Sequence, residues 1–321
     1  MNKRKKINLT KTFIGIIVLL IAIITIASGN HMLNFALLRK NIILKKNANT
    51  DSTMYANYPF LRPWVDSLNQ IRAMKDTFIT NNEGIRLHAN YIYAASPTTH
   101  TAVIVHGYTD NARRMLMIGY LYNHDLGYNI LLPDLYAHGF SGGKTIQMGW
   151  KDRLDVIRWM KVANHIFGDS TQMVVHGISM GAAATMMVSG EKQPSYVKCF
   201  IEDCGYTSVF DEFAYQLKQM FGLPPFPILY TANSICQICY GWNFKEASAL
   251  KQVMKCHLPM LFIHGDKDTY VPTWMAFALY KAKPGTKELW IVPGAEHAKS
   301  YLINKEKYSE KVHRFTTKYM R

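Results

Sequence analysis

The sequence predicts an α/β fold: a mostly parallel, eight-stranded sheet flanked by helices, with a small lid after the sixth strand and an N-terminal transmembrane helix. Three observations predict it. Short β-branched runs alternate with helical stretches from about residue 76 onward. One apolar, aromatic interval, 204–258, is too long to be a strand-to-helix loop. No Asp, Glu, Lys or Arg lies between Lys11 and Arg39, a span of 27 residues.

The N-terminal element comes first in the chain. The centre of the uncharged span, Phe13 to Ile26, is almost entirely Ile, Leu, Val, Ala and Phe. About 20 apolar residues suffice for a helix to cross the hydrocarbon. Met1 to Lys6 reads MNKRKK, a basic flank of the kind kept in the cytoplasm, although the basic residues at 39–46 work against that orientation. Two readings are open. Residues 1–30 are an uncleaved signal anchor with the catalytic part outside the cytoplasm. Alternatively, Ala27-Ser28-Gly29 marks a cleavable signal and the mature chain is secreted or periplasmic.

This segment also accounts for the charge. The 321 residues carry a formal +15, from 37 Lys and Arg against 22 Asp and Glu. Nine of those basic residues and no acidic ones lie in residues 1–50, so the remainder holds 28 against 22. The excess marks topology and not a nucleic-acid surface. A hydrophobic content of 49% excludes a disordered chain.

Residues 31–75 read as a linker, with Pro59, Pro63 and Trp64 marking a docked extended piece. The folded α/β domain is expected to span 76–321. Its strands are expected at 76–80, 85–94, 101–106, 128–133, 172–176, 197–202, 259–264 and 287–292. The first two follow each other directly and start the sheet antiparallel. Helices are expected at 111–124, 147–166, 180–190, 272–283 and 298–319. The lid lies within 204–258.

Residues 172–181 read QMVVHGISMG, in which Gly177-Ile178-Ser179-Met180-Gly181 fits G-x-S-x-G between a strand and a helix. The glycines are needed because the turn is tight. Ser179 is exposed on it as a nucleophile, before a helix N-terminus suited to an oxyanion. An acid and a base should follow in the order Ser, Asp or Glu, His. MLFIHGDKDTYVP (260–272) supplies Asp268, and LWIVPGAEHAKSY (289–301) supplies His297. Asp266, Glu202 and Asp203 are rival acids. In TAVIVHGYTD (101–110) the strand ends where Tyr108 offers one oxyanion N–H, and Met180 offers the other. His106 braces that loop, and His176 and His264 read as packing groups.

The five cysteines, Cys199, Cys204, Cys236, Cys239 and Cys256, include a single C-x-x-C, without the second pair that zinc needs. They read as buried thiols or one local disulfide. No metal or cofactor is expected.

From about residue 76 onward the chain resembles the α/β-hydrolase superfamily, in its serine-aminopeptidase-like and carboxylesterase branch. The resemblance is carried by HGYTDN (106–111), DLYAHGFSGG (134–143), GISMG (177–181), HGDKDTYVP (264–272), GAEHAKSY (294–301), and by Gly149-Trp150 and Asp155. It implies a triad of Ser179, Asp268 and His297, with the amides of Tyr108 and Met180 as the oxyanion hole. One departure is Tyr136-Ala137-His138-Gly139, where the family usually has Arg-Gly-His-Gly. Members cleave esters, peptides, thioesters and lactones. The leading expectation is a membrane-anchored serine hydrolase of a carboxylic ester. A peptidase or amidase with the same residues is the second reading, and a non-catalytic binding protein on this scaffold is the third.

Overall fold

The computed structural model describes residues 3–38 and 50–320, with only the backbone for 3–9. The basic residues Arg39, Lys40, Lys45 and Lys46 lie outside the described residues. Eight strands form one sheet: β1 (Lys75–Thr80), β2 (Arg86–Ile92), β3 (His100–Val105), β4 (Asn129–Pro133), β5 (Gln172–Ile178), β6 (Val197–Asp203), β7 (Met260–Gly265) and β8 (Lys287–Val292). Their spatial order is β1-β2-β4-β3-β5-β6-β7-β8. β2 pairs antiparallel with both β1 and β4, and the remaining pairs are parallel.

Parallel strands are covered on both faces, and their sequences show it. On β3, Val103 and Val105 enter one core while Ala102 and Ile104 enter the other. On β5, Met173 and Val175 part from Val174 in the same way. The first face is covered by α5 (Asp152–Ile166), α6 (Met180–Ser189) and α10 (Trp274–Ala282). The second is covered by α2 (Thr50–Asn57), α3 (Leu61–Gln70), α4 (Leu116–Tyr120), α11 (Ser300–Ile303) and α12 (Lys305–Tyr319).

The interval after β6 folds into α7 (Val209–Phe221), α8 (Ile228–Tyr240) and α9 (Ala249–Val253). The piece expected to be extended around Pro63 and Trp64 is helical. Leu61, Trp64, Val65 and Leu68 are buried at helical spacing. Pro63 falls in the first turn, where its missing N–H costs no hydrogen bond. The helix expected at 111–124 is broken into a 3-10 turn (Arg113–Met115), α4 and a π turn (Leu121–Asp125).

α1 (Lys3–Leu37) is one continuous helix of 35 residues. Its stretch Thr10–Leu37 is long and apolar enough to cross a membrane. Phe13 and the apolar residues from Ile16 to Ile24 are exposed, whereas Leu33 and Leu37 are buried in the first core. The same helix therefore leaves one end bare and docks the other on the sheet-and-helix domain.

Candidate active site

Ser179 joins β5 to α6 with φ +58° and ψ −119°. A non-glycine residue in that region stores strain of about 1–3 kcal/mol, so its surroundings must hold it there. Both neighbouring glycines are enforced by close approach. A Cβ at 177 would lie 2.1 Å from the Gly181 carbonyl oxygen, and one at 181 would lie 2.1 Å from that of Val105. The Ser179 N–H donates to the Asp203 carbonyl at 2.8 Å, which ties the turn to β6.

His297 stands in the loop after β8 and Asp268 in the turn after β7. Ser179 Oγ lies 2.8 Å from His297 Nε2, and His297 Nδ1 lies 2.7 Å from Asp268 Oδ2. An Nδ1–H donated to Asp268 leaves Nε2 free to accept from the serine hydroxyl. Asp268 Oδ1 accepts from the amides of Tyr270 and Val271, each at 2.9 Å. His264 Nε2 lies 3.4 Å from Oδ2 and donates to the Val271 carbonyl at 2.8 Å. Burial alone would raise the Asp268 pKa. The bonds from His264 and His297 overcome that and hold it at about 2. Asp268 is therefore a fixed anion beside the imidazole.

The rival acids are engaged elsewhere. Asp266 Oδ1 accepts the Gly294 amide at 2.7 Å, joining two loops. Asp203 accepts from the hydroxyls of Ser300 (3.0 Å) and Tyr308 (3.1 Å). Glu202 is fully buried, accepts the Gly205 amide at 2.9 Å, and is pushed by burial to a pKa of about 8. His176 lies between the hydroxyls of Tyr122 and Tyr308, and burial drops its pKa to about 3.

Met180 is the first residue of α6, so its N–H has no intrahelical acceptor. Tyr108 lies in the loop after β3, whose Gly107 adjoins Ser179. Two histidines brace this loop. His106 accepts from the Leu135 amide at 2.9 Å and donates to the Gly107 carbonyl at 2.8 Å. His138 accepts from the Thr109 amide at 3.1 Å. Ala137, which stands where the resemblance has glycine, takes φ +63°.

Tyr108, Ser179 and Met180 open on one cavity of about 330 Å³. Its walls are mainly apolar side chains of the lid, among them Phe213, Leu217, Leu229 and Phe244, together with Met32, Leu33, Phe35 and Ala36 of α1. Residues 32–36, which fall in the stretch 31–75 expected to be a linker, are instead part of α1 and form this wall. The available signal was helical spacing: Ser28, Met32, Leu33, Ala36 and Leu37 share one stripe. Glu212 is the carboxyl group in the lining. Its Oε1 accepts from Gln216 Nε2 at 3.0 Å, its Oε2 is buried without a partner, and burial pushes its pKa to about 8.

All five cysteines are free thiols, with Cys236 buried and Cys239 exposed on α8. Donor atoms of Cys204, Asp268 and His297 lie within 4.8 Å of one another. Burial holds the Cys204 thiol protonated, and Asp268 and His297 are already paired with each other, so the set is poorly suited to a cation.

Residues 141–321 match the model of the prolyl oligopeptidase family. The chain is 32% identical to the protein YqkD of Bacillus subtilis over 225 residues, which are 70% of this chain and 73% of that one. Among solved structures, the Pyrococcus furiosus esterase Pf2001 superposes with a TM-score of 0.62 at 25% identity, covering 77% of this chain and 93% of that one. The acylaminoacyl peptidase of Pyrococcus horikoshii gives a TM-score of 0.57 at 17% identity, covering 77% of this chain and 42% of that one, a likeness of fold alone.

Proposed function

The chain belongs to the prolyl oligopeptidase family, and from that premise we propose that it is a serine hydrolase cleaving a carboxylic ester through an acyl-enzyme. In this reading Ser179 is the nucleophile, His297 the general base and then acid, and Asp268 the group that orients and stabilises the imidazolium. His297 Nε2 takes the hydroxyl proton as Oγ attacks the ester carbonyl carbon. The amides of Tyr108 and Met180 receive the resulting oxyanion. As the tetrahedral adduct collapses, His297 returns the proton to the departing alkoxide. Water, deprotonated by the same imidazole, then releases the acid and restores Ser179.

The observation that favours an ester over a peptide is the lining of the cavity beside Ser179. A peptide brings an N–H and a C=O for every residue, and each one buried without a partner costs about 1–3 kcal/mol. Phe213, Leu217, Leu229 and Phe244 offer no partners, whereas an acyl or aromatic group needs none. The resemblance in structure to the Pyrococcus furiosus esterase supports the same choice.

In this reading residues 76–321 are the catalytic domain, with the lid in 204–258, and residues 1–30 anchor it to the membrane with that domain outside the cytoplasm. A fluorophosphonate probe should label the wild type and not Ser179→Ala. Folded wild type that resists labelling would refute the hydrolase. A panel of acyl esters and aminoacyl amides separates esterase from peptidase. An alkaline phosphatase fusion after residue 50 should be active, and a stable but inactive fusion would refute export.

A further inference from the structure

We propose that α1 is a wall of the acyl site as well as an anchor, and that the substrate is a long-chain acyl ester drawn from the membrane that holds the same helix. The proposal rests on the ester-hydrolase reading above and names its substrate class.

The argument begins with length. Thirty-five helical residues rise about 52 Å, whereas a hydrocarbon core is about 30 Å thick. The helix is longer than a crossing needs, and its two parts differ. Phe13 to Ile24 present apolar side chains to the outside, a surface that only lipid would cover. From Ser28 onward one stripe is covered by the domain.

The contact is close and specific. A Cβ on Gly29 would lie 2.8 Å from Thr231 Cγ2 and 3.1 Å from the Ala232 nitrogen, so α1 and α8 touch backbone to backbone. Phe35 meets Phe221 edge-on at 6.2 Å. The end of the helix is fastened as well: the Ile146 amide donates to the Leu37 carbonyl at 2.7 Å, and the Tyr108 hydroxyl to the Ala36 carbonyl at 2.7 Å.

Met32, Leu33, Phe35 and Ala36 thereby face the cavity that holds Ser179. Ile26 and Ala36 are ten residues apart, about 15 Å along the axis. Lid residues Met220, Phe221, Phe226 and Tyr230 are exposed, an apolar collar next to the helix. Near Ser179 an entering chain would meet the apolar side chains of Met32, Leu33, Phe35 and Ala36 from the helix and of Met220 and Phe221 from the lid. A water-soluble ester would have no use for that collar or for a bare helix beside it.

The test uses full-length protein in phosphatidylcholine vesicles and two fluorophosphonates, hexadecyl and butyl, each with a diazirine at the chain end. The hexadecyl probe should label Ser179 at least about tenfold faster, which corresponds to ~1.4 kcal/mol. After photolysis it should cross-link to peptides containing Met32–Ala36. Equal rates, or cross-links that never fall on α1, would overturn the proposal while leaving the hydrolase standing. No labelling of Ser179 by either probe would overturn both. Ala36→Phe, which narrows the cavity, should lower the hexadecyl-to-butyl ratio at least about tenfold. A variant that still reacts with the butyl probe and keeps the ratio would count against the proposal.

Discussion

The Tyr108 hydroxyl donates to the Ala36 carbonyl at 2.7 Å, so the loop carrying one proposed oxyanion amide is tied to the last turn of the N-terminal helix. Ala36 is near the helix C-terminus, where carbonyls lack intrahelical donors, so the phenol satisfies a group the helix cannot. Tyr108→Phe keeps the ring and removes only this bond. A bond of this kind is worth about 0.5–1.5 kcal/mol. The expected result is a fall in turnover of a few-fold, with labelling by fluorophosphonate slowed and the fold kept, as read by circular dichroism. Unchanged turnover would show that the helix does not position the loop.

Asp268 holds two backbone amides through Oδ1 and His297 through Oδ2. Asp268→Asn preserves the shape but can place an N–H where His297 Nδ1–H needs an acceptor. The imidazole would then turn or change tautomer. Turnover should fall roughly 10³–10⁴-fold, while substrate affinity changes little. The same group contributes to acid stability. Its folded pKa of about 2 is below its ordinary 3.8, so its contribution is complete above pH 4 and is lost as pH falls towards 2. Acid unfolding of the Asn variant, followed by tryptophan fluorescence, should lack that component.

The elbow tolerates no side chain at 181. A Cβ there would sit 2.1 Å from the Val105 carbonyl oxygen and 2.6 Å from that of His106, both backbone atoms that cannot swing aside. Gly181→Ala should lose about 1–3 kcal/mol or more, with a Tm drop of about 2–4 °C per kcal/mol. Because the clash also displaces β3 from Ser179, probe labelling should slow in whatever protein remains folded. Wild-type melting and labelling would contradict the close packing of β3, β5 and α6.

Much of this architecture was legible because its signals are local. Most strands of the sheet are short apolar runs between turn signals, and the glycines of 177–181 announce a tight turn. The chain order also put Ser179, Asp268 and His297 each just past a strand end. Their separations were not legible, since they depend on the register of β5, β7 and β8. The docking of α1 was hidden for another physical reason. The stretch Phe13–Ile26 is apolar on nearly all faces, so the stripe of Met32, Leu33, Ala36 and Leu37 that follows it, although set off by the polar Asn30, His31 and Asn34, reads as the tail of a crossing helix and not as a packing face. Glu212 was not legible either: on α7 it reads as a surface carboxyl in the first turn, and its burial comes only from the tertiary fold.

Glu202 gives a pH prediction whose sign can be worked out. Burial raises its pKa from 4.5 to about 8, so the folded chain holds a proton that the unfolded chain has released between those values. Stability associated with this group is therefore complete below about pH 4.5 and is lost as pH rises towards 8, at up to about 1.4 kcal/mol per pH unit. Glu212 acts in the same direction for the same cause. His176 opposes them: its folded pKa of about 3 is below its ordinary 6.5, so its contribution grows with pH up to 6.5 and is constant beyond. Above pH 6.5 that opposing contribution is constant, so the glutamates act there together with Asp152, which burial raises to about 7, and with His88 and His264, which their carboxylate partners raise above 6.5 against the effect of burial; all of these lose stability as pH rises. Urea midpoints measured between pH 6.5 and 8 should fall with pH, and Glu202→Gln should flatten the slope measurably without abolishing it. Gln keeps an oxygen for the Gly205 amide but cannot ionise. An equal slope in the variant would mean that Glu202 is not the group holding the proton.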